Sequence, residues 1–227
     1  MAKAKKETAV PWNETICDMS DCDVIANLIR RVVVKRKAED VAKDLMKEFG
    51  SFARIIDATH KELKQIDGMG DAACSVITLL PAFYRKYSMS KIKKGTTFDG
   101  IEELGMFICN CMAGRRDEAL LVVCFNEKMK LISWKVIHEG SIHSVDISMR
   151  KIMSYALDEE AAHVVIAHNH IDGILNPSDE DFETTNAIFN ALESLKIVLD
   201  DHFITCRNEY ASLARLSGGT LKPGNKE

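Results

Sequence analysis

The chain has 227 residues, 46% of them apolar and 28% charged, with a formal net charge of −4. This composition excludes a disordered or fibrous chain and supplies apolar residues for one large core or two small ones. No run of eighteen apolar residues occurs, and the start Met1-Ala-Lys-Ala-Lys-Lys-Glu7 lacks the apolar stretch of a secretory signal, so a cytoplasmic protein without a membrane partner is expected.

The charge is unevenly spread. Residues 1–95 hold 18 Lys and Arg against 13 Asp and Glu, while residues 96–227 hold 12 against 21, so an anionic partner is expected to meet the first part. The seven cysteines are an odd number with no disulfide-like framework and read as buried thiols. Cys109-Asn110-Cys111 has no second pair at zinc-finger spacing.

Residues 1–19 mix charges, Pro and single apolar residues without a period and read as a tail. Ser20 or Asp21 can cap a helix carrying Val24, Ile25, Leu28, Ile29 and Val32, and a second helix from Ala38 through Phe49 stops at Gly50. Short helical pieces follow at 51–56 and at 59–66, the latter opened by the capping box Thr59-His-Lys-Glu62. Gly68-Met-Gly70 then leads into a helix from Asp71 to about Tyr87, giving the pattern of a helix-hairpin-helix. Free N–H groups at the start of the second helix can hold a phosphate there, with Lys64 adding charge, so Gly68, Gly70 and Lys64 are candidate DNA contacts. Asp71 opposes this by placing a negative charge in the same turn.

The basic run Lys91-Ile-Lys-Lys-Gly95 reads as a linker. A helix from Asp99 to near Gly114 precedes two strands, Glu118–Phe125 and Lys130–Ile137, joined through Asn126-Glu-Lys-Met129 as a hairpin. After Gly140 an extended segment leads to a helix at about 148–157. A further strand is expected over 197–205.

Between those last two elements lies the segment that carries chemistry. Val164-Val-Ile-Ala167 is a short β-branched run, and period-2 alternation puts His168 and His170 on one face at its end. Asp172, Gly173, Asn176 and Pro177 form a turn, and Ser178-Asp-Glu-Asp181 opens an apolar-periodic helix, bringing a carboxylate near the two imidazoles. Two imidazoles and a carboxylate are the ligand set of a catalytic zinc that keeps one position for water. Ser178 and Asp181 are also a capping arrangement, and capping and ligation are compatible.

The order His-x-His, seven residues, Ser-x-x-Asp is similar to the motif of the JAB/MPN (JAMM) metalloprotease fold, and the segment resembles the RadC family in particular. The residues carrying this are His168-Asn-His170-Ile-Asp-Gly173, Pro177-Ser178, Asp181 and Leu199-Asp-Asp201-His202. The resemblance covers most of the chain, including residues 21–87, and departs at Ile171-Asp172, where family members carry Pro-Ser. It implies an α/β (α+β) chain with a small all-helical helix-hairpin-helix domain over 20–95. A JAB/MPN-type mixed sheet flanked by helices, of cytidine-deaminase-like architecture, would follow over 96–220, with tails at 1–19 and 221–227. It further implies Zn2+ on His168, His170 and Asp181, Glu118 as general acid/base with Glu139 as runner-up, Ser178 facing an oxyanion, and Asp201 and His202 orienting the ligands. Three functions follow from it. One is a zinc-dependent metallopeptidase or isopeptidase acting on an unidentified protein or peptide. Another is a DNA-associated repair or recombination factor whose metal domain is structural or nucleolytic. The third is an MPN scaffold without activity.

Overall fold

The computed structural model describes residues 16–140, 145–218 and 221, with the side chains of 145–148 left aside. The expected N-terminal tail up to residue 15, the extended segment at 141–144 and the tail from 222 lie outside the described residues. The chain divides into two compact units, 1–80 and 81–227. The division falls inside a helix, upstream of the basic run at 91–95.

The first unit is helical. Helix α1 (Asp21–Ile29) is capped by Ser20, whose hydroxyl accepts the Asp23 N–H, and α2 (Ala38–Phe49) ends on Gly50 at φ 77°, whose N–H returns to the Met46 carbonyl. Helix α3 (Phe52–Asp57) is capped by Ser51, and α4 (His60–Leu63) carries the Thr59/Glu62 capping box. Helix α5 (Asp71–Ser90) runs through Pro81 and three residues past the expected end. Ile25, Ile29, Val41, Leu45, Ile55, Leu63 and Ile77 are fully buried together, each side chain contributing roughly 1.5–3 kcal/mol. The Gly68-Met-Gly70 turn belongs to this core: Met69 is buried, and Gly68 sits at φ +95°, where a Cβ would meet Val41 Cγ2 at 2.8 Å. Only glycine fits there.

The second unit is built on a five-stranded mixed sheet. After α6 (Gly100–Met112) come β1 (Ala119–Phe125) and β2 (Leu131–Glu139), then α7 (Val145–Asp158), β3 (His163–Asn169), α8 (Asp179–Ser194), β4 (Val198–Cys206), β5 (Glu209–Ser212) and α9 (Leu213–Leu216). The spatial order is β2-β1-β3-β4-β5, antiparallel except for β3 and β4, which run parallel with α8 as their crossover. The β1–β2 hairpin closes on Asn126, whose side-chain oxygen accepts the N–H groups of Lys128 and Lys130, with Met129 at φ 54°.

Every residue of β1 is buried, as a strand covered on both faces must be. Leu121, Val123, Val165, Ala167 and Phe203 pack with α6 on one face; Leu120, Val122, Val164, Ile166 and Leu199 pack with α7 and α8 on the other. Helix α6 approaches closely because Gly105 has no Cβ; one would meet the Tyr210 ring at 2.4 Å. Among the described residues no helix is long and apolar enough to cross a membrane.

Candidate metal centre

Strand alternation decides which side chains meet. His168 lies on the α7/α8 face of β3, one pair from its end, and His170 follows the strand with its N–H on the Thr205 carbonyl at 2.8 Å. The register with β4 shifts between Val164 and Val165, so His202 comes beside Ile166 on the same face as His168. Asp181 stands in the first turn of α8, its Oδ2 accepting both the Ser178 N–H at 2.8 Å and the Ser178 hydroxyl at 2.7 Å, while the Asp181 N–H returns to Ser178 Oγ. Cap and candidate ligand are thus one carboxylate.

The donor atoms converge. His168 Nε2 is 2.9 Å from His170 Nε2 and 3.0 Å from Asp181 Oδ1, His170 Nε2 is 3.5 Å from Asp181 Oδ2, and one ligand atom from each residue lies within 4.8 Å of the others.

The partners on the far side of each ring fix where the protons are. His170 Nδ1 lies 2.7 Å from the Ile174 carbonyl, which only accepts, so Nδ1 carries the hydrogen. For His168 the assignment runs through two more side chains. Thr185 donates its hydroxyl to the Asp181 carbonyl at 2.6 Å and so accepts from His202 Nδ1 at 2.5 Å. That leaves His202 Nε2 as acceptor for His168 Nδ1–H at 2.8 Å. His202 is buried, and burial first, then the neighbouring His168, hold its pKa well below the ordinary histidine value, as a neutral relay requires.

In the neutral rings Nε2 is therefore the nitrogen without hydrogen, and both Nε2 atoms face the Asp181 carboxylate. Burial of Asp181 opposes its charge, while the Ser178 N–H and hydroxyl both donate to its carboxylate and favour the ionised form. Three basic atoms at these separations can share a cation, and two imidazoles plus one carboxylate match the donor set of a zinc with a position left open.

The cleft around this cluster has a volume of about 220 Å³ and is lined also by Glu118, Glu180 and Thr184. Glu118 immediately precedes β1, and its neighbours are pinned by a residue between the two histidines: Asn169, buried, accepts the Ala119 N–H at 2.7 Å and donates to the Asp117 carbonyl at 3.1 Å. Glu139, the runner-up, is elsewhere, ion-paired with Arg115 at 2.7 Å. Ser178 lines the cleft with its hydroxyl already committed to Asp181.

Asp201 does not join the site. It is adjacent to His202 in β4 and faces the opposite side of the sheet, accepting from Ser212 Oγ at 2.5 Å and from the Ala214 N–H at 3.0 Å. Of the two residues expected to orient the ligands, only His202 reaches them. Asp172, in place of the family's usual serine, accepts the Ile174 N–H at 2.9 Å and so shapes the turn that presents the Ile174 carbonyl to His170.

Thr185, Asn169 and Glu180 escaped the sequence reading. Thr185 had a findable signal, since it lies four residues after Asp181 on the same helical face. In the first unit Lys64 pairs its ammonium with Asp71, which His60 also approaches at 3.2 Å, so one candidate DNA contact is engaged within its own turn. Burial pushes the Cys109 and Cys111 thiols up to about 11 and about 12, which leaves them protonated.

A mixed sheet with helices on both faces and a His-His-Asp cluster at the end of its central strands describes a JAB-type domain. The RadC-like JAB domain model matches residues 98–218. The chain is 30% identical over 190 residues to a UPF0758 protein of Ralstonia pickettii (strain 12J), covering 84% of this chain and 85% of that one. It is 26% identical over 196 residues to UPF0758 proteins of Aliivibrio salmonicida (strain LFI1238) and Saccharophagus degradans, covering 86% of this chain and 88% of each relative. The chain belongs to the RadC family.

Proposed function

We propose that the chain is a zinc-dependent hydrolase that cleaves an amide bond of peptide or isopeptide type. The observation that carries this reading is the convergence of His168 Nε2, His170 Nε2 and the Asp181 carboxylate, with Nδ1 of each ring hydrogen-bonded on its far side. His168, His170 and Asp181 would hold the zinc, which when bound supplies Lewis-acid polarisation of the reacting oxygen. Glu118, beside the cluster, takes the proton of the attacking water and passes it to the leaving nitrogen. Ser178 orients Asp181, and its hydroxyl serves a developing oxyanion on turning away from Asp181 Oδ2. His202 and Thr185 keep the His168 ring and its proton in place.

The test is elemental analysis joined to a panel of peptide, isopeptide and nucleic-acid substrates. About one zinc per chain is expected, lost in the double variant His168→Ala/His170→Ala. Glu118→Gln should keep the metal while turnover falls roughly 10²–10⁴-fold. Unaltered metal content in the double variant would refute the ligand assignment. A second activity, weak DNA binding by residues 20–95, rests on the basic excess of that part and on the open space at Gly70 before α5. A salt-dependent titration against single- and double-stranded DNA tests it.

A further inference from the structure

A second cleft, of about 370 Å³, lies in the 81–227 unit on the α6 face of the sheet, away from His168. Arg85, Lys86 and Met89 of α5, Cys111 of α6, Arg115 after it, and Trp134 of β2 line it. None of these residues takes part in the chemistry proposed above.

Its charges are poorly balanced. Arg115, whose side chain is 13% exposed, gives Nη1 to Glu139, but its Nε–H is buried without a hydrogen-bond partner among the described residues. A buried donor left unpaired is costly and calls for a ligand, ion or water in its place. Arg85 donates Nη1 to the Ala113 carbonyl, which holds its guanidinium without neutralising it. Burial first, and then the charge of Arg115, lower the Arg85 pKa, so the two guanidinium groups feel each other across the cleft. Lys86 stands exposed at the rim. Lys135 also lines the cleft, with its ammonium 5.7 Å over the Tyr155 ring. Among the described residues four cationic side chains thus line the cleft, with the one carboxylate of Glu139 paired to Arg115.

We propose that this cleft binds a phosphoryl group, carried by a small phosphorylated ligand whose body lies against Trp134. A dianionic phosphate monoester meets the charge excess that a single carboxylate would leave, and guanidinium forks match its oxygens. Trp134 is held edge-on to Phe107, with ring centroids 5.4 Å apart, and offers a fixed apolar wall. The volume lies within the range of small-ligand sites. The small volume of the cleft favours a compact ligand over a nucleic-acid strand.

The experiment titrates the full chain at low salt with inorganic phosphate and with a nucleoside 5′-monophosphate, using calorimetry. Fluorescence of Trp134 in a Trp12→Phe background locates the phosphate, since these are the chain's two tryptophans. One-site saturation is expected, weakened at least tenfold by Arg115→Gln and by Lys86→Glu, and unchanged in His168→Ala/His170→Ala. Binding of the ester at least tenfold tighter than that of inorganic phosphate identifies a phosphorylated small molecule as the occupant. Equal binding of both identifies free phosphate and retains the phosphoryl site. Lys86 is exposed, so its variant folds even if loss of Arg115 disturbs packing. Absence of saturable binding, binding indifferent to Lys86→Glu, or binding lost with the two histidines overturns the proposal.

Discussion

Asp71 and Asp181 occupy the same local position, an acid in the first turn of a helix with histidine nearby, and they end in different surroundings. Asp71 is 78% exposed, and Lys64 and His60 lower its pKa by closing an ion pair within the turn. Asp181 is 16% exposed, and its partners are imidazole lone pairs that carry no charge of their own. The first arrangement closes on itself, whereas the second gathers three donor atoms at one point. Helix-start sequence grammar is the same in both; burial and the identity of the facing atoms decide whether the acid is a surface ion pair or a ligand.

The comparison is broken most directly by exchanging each acid for its amide. Asp181→Asn should weaken zinc binding by more than about 100-fold in a competition titration, because an anionic ligand and the anchor of the cap are lost together. Asp71→Asn should leave zinc affinity unchanged.

A smaller effect is expected one layer out. Thr185→Val keeps the shape of the side chain and removes the hydroxyl that assigns the His202 proton, so zinc affinity should fall about 10–100-fold with the fold retained by circular dichroism. Unchanged affinity would show that the His168 tautomer is fixed by something else.

The pH dependence is milder. His202 has a folded pKa below its unfolded value, so the folded state binds fewer protons in that interval. Its contribution is fully present above the unfolded value near 6.5 and is lost as pH falls below it. Metal-free protein should therefore lose stability from pH 7.5 to 5.5, by roughly 1 kcal/mol per pH unit at most, and His202→Gln should flatten that slope in denaturant titrations. The smallest effect concerns the first unit: Asp71→Asn frees Lys64 and should raise DNA affinity a few-fold at low salt, an increase abolished by added salt.

Much of the architecture was legible because it rests on local signals. Ser20, Ser51, Thr59 and Gly50 mark helix ends by the chemistry of their own side chains or backbones, and the unbroken apolar run at 119–125 needs both faces covered. The His168, His170 and Asp181 cluster was legible because two of its members share a strand end and the third opens the next helix.

Strand β5 was not, since Glu209-Tyr-Ala-Ser212 is too short to show a period and is fixed by pairing with β4. The fate of Asp201 was also hidden. A Leu-Asp-Asp-His string does not reveal that a register shift sends His202 to the ligands and Asp201 to the other face. Lys64 looked available for DNA because sequence spacing does not show that its ammonium folds back to Asp71.

Asn169 holds Asp117 and Ala119 from a position between the two histidines, so the segment that presents His168 and His170 also grips the backbone on either side of Glu118. If the end of β3 shifts, Glu118 is carried along with the histidines, and the spacing between them survives small strand motions. If that end detaches, all of them disperse together. Asn169 is thus a joint between the histidine-bearing strand end and the start of β1.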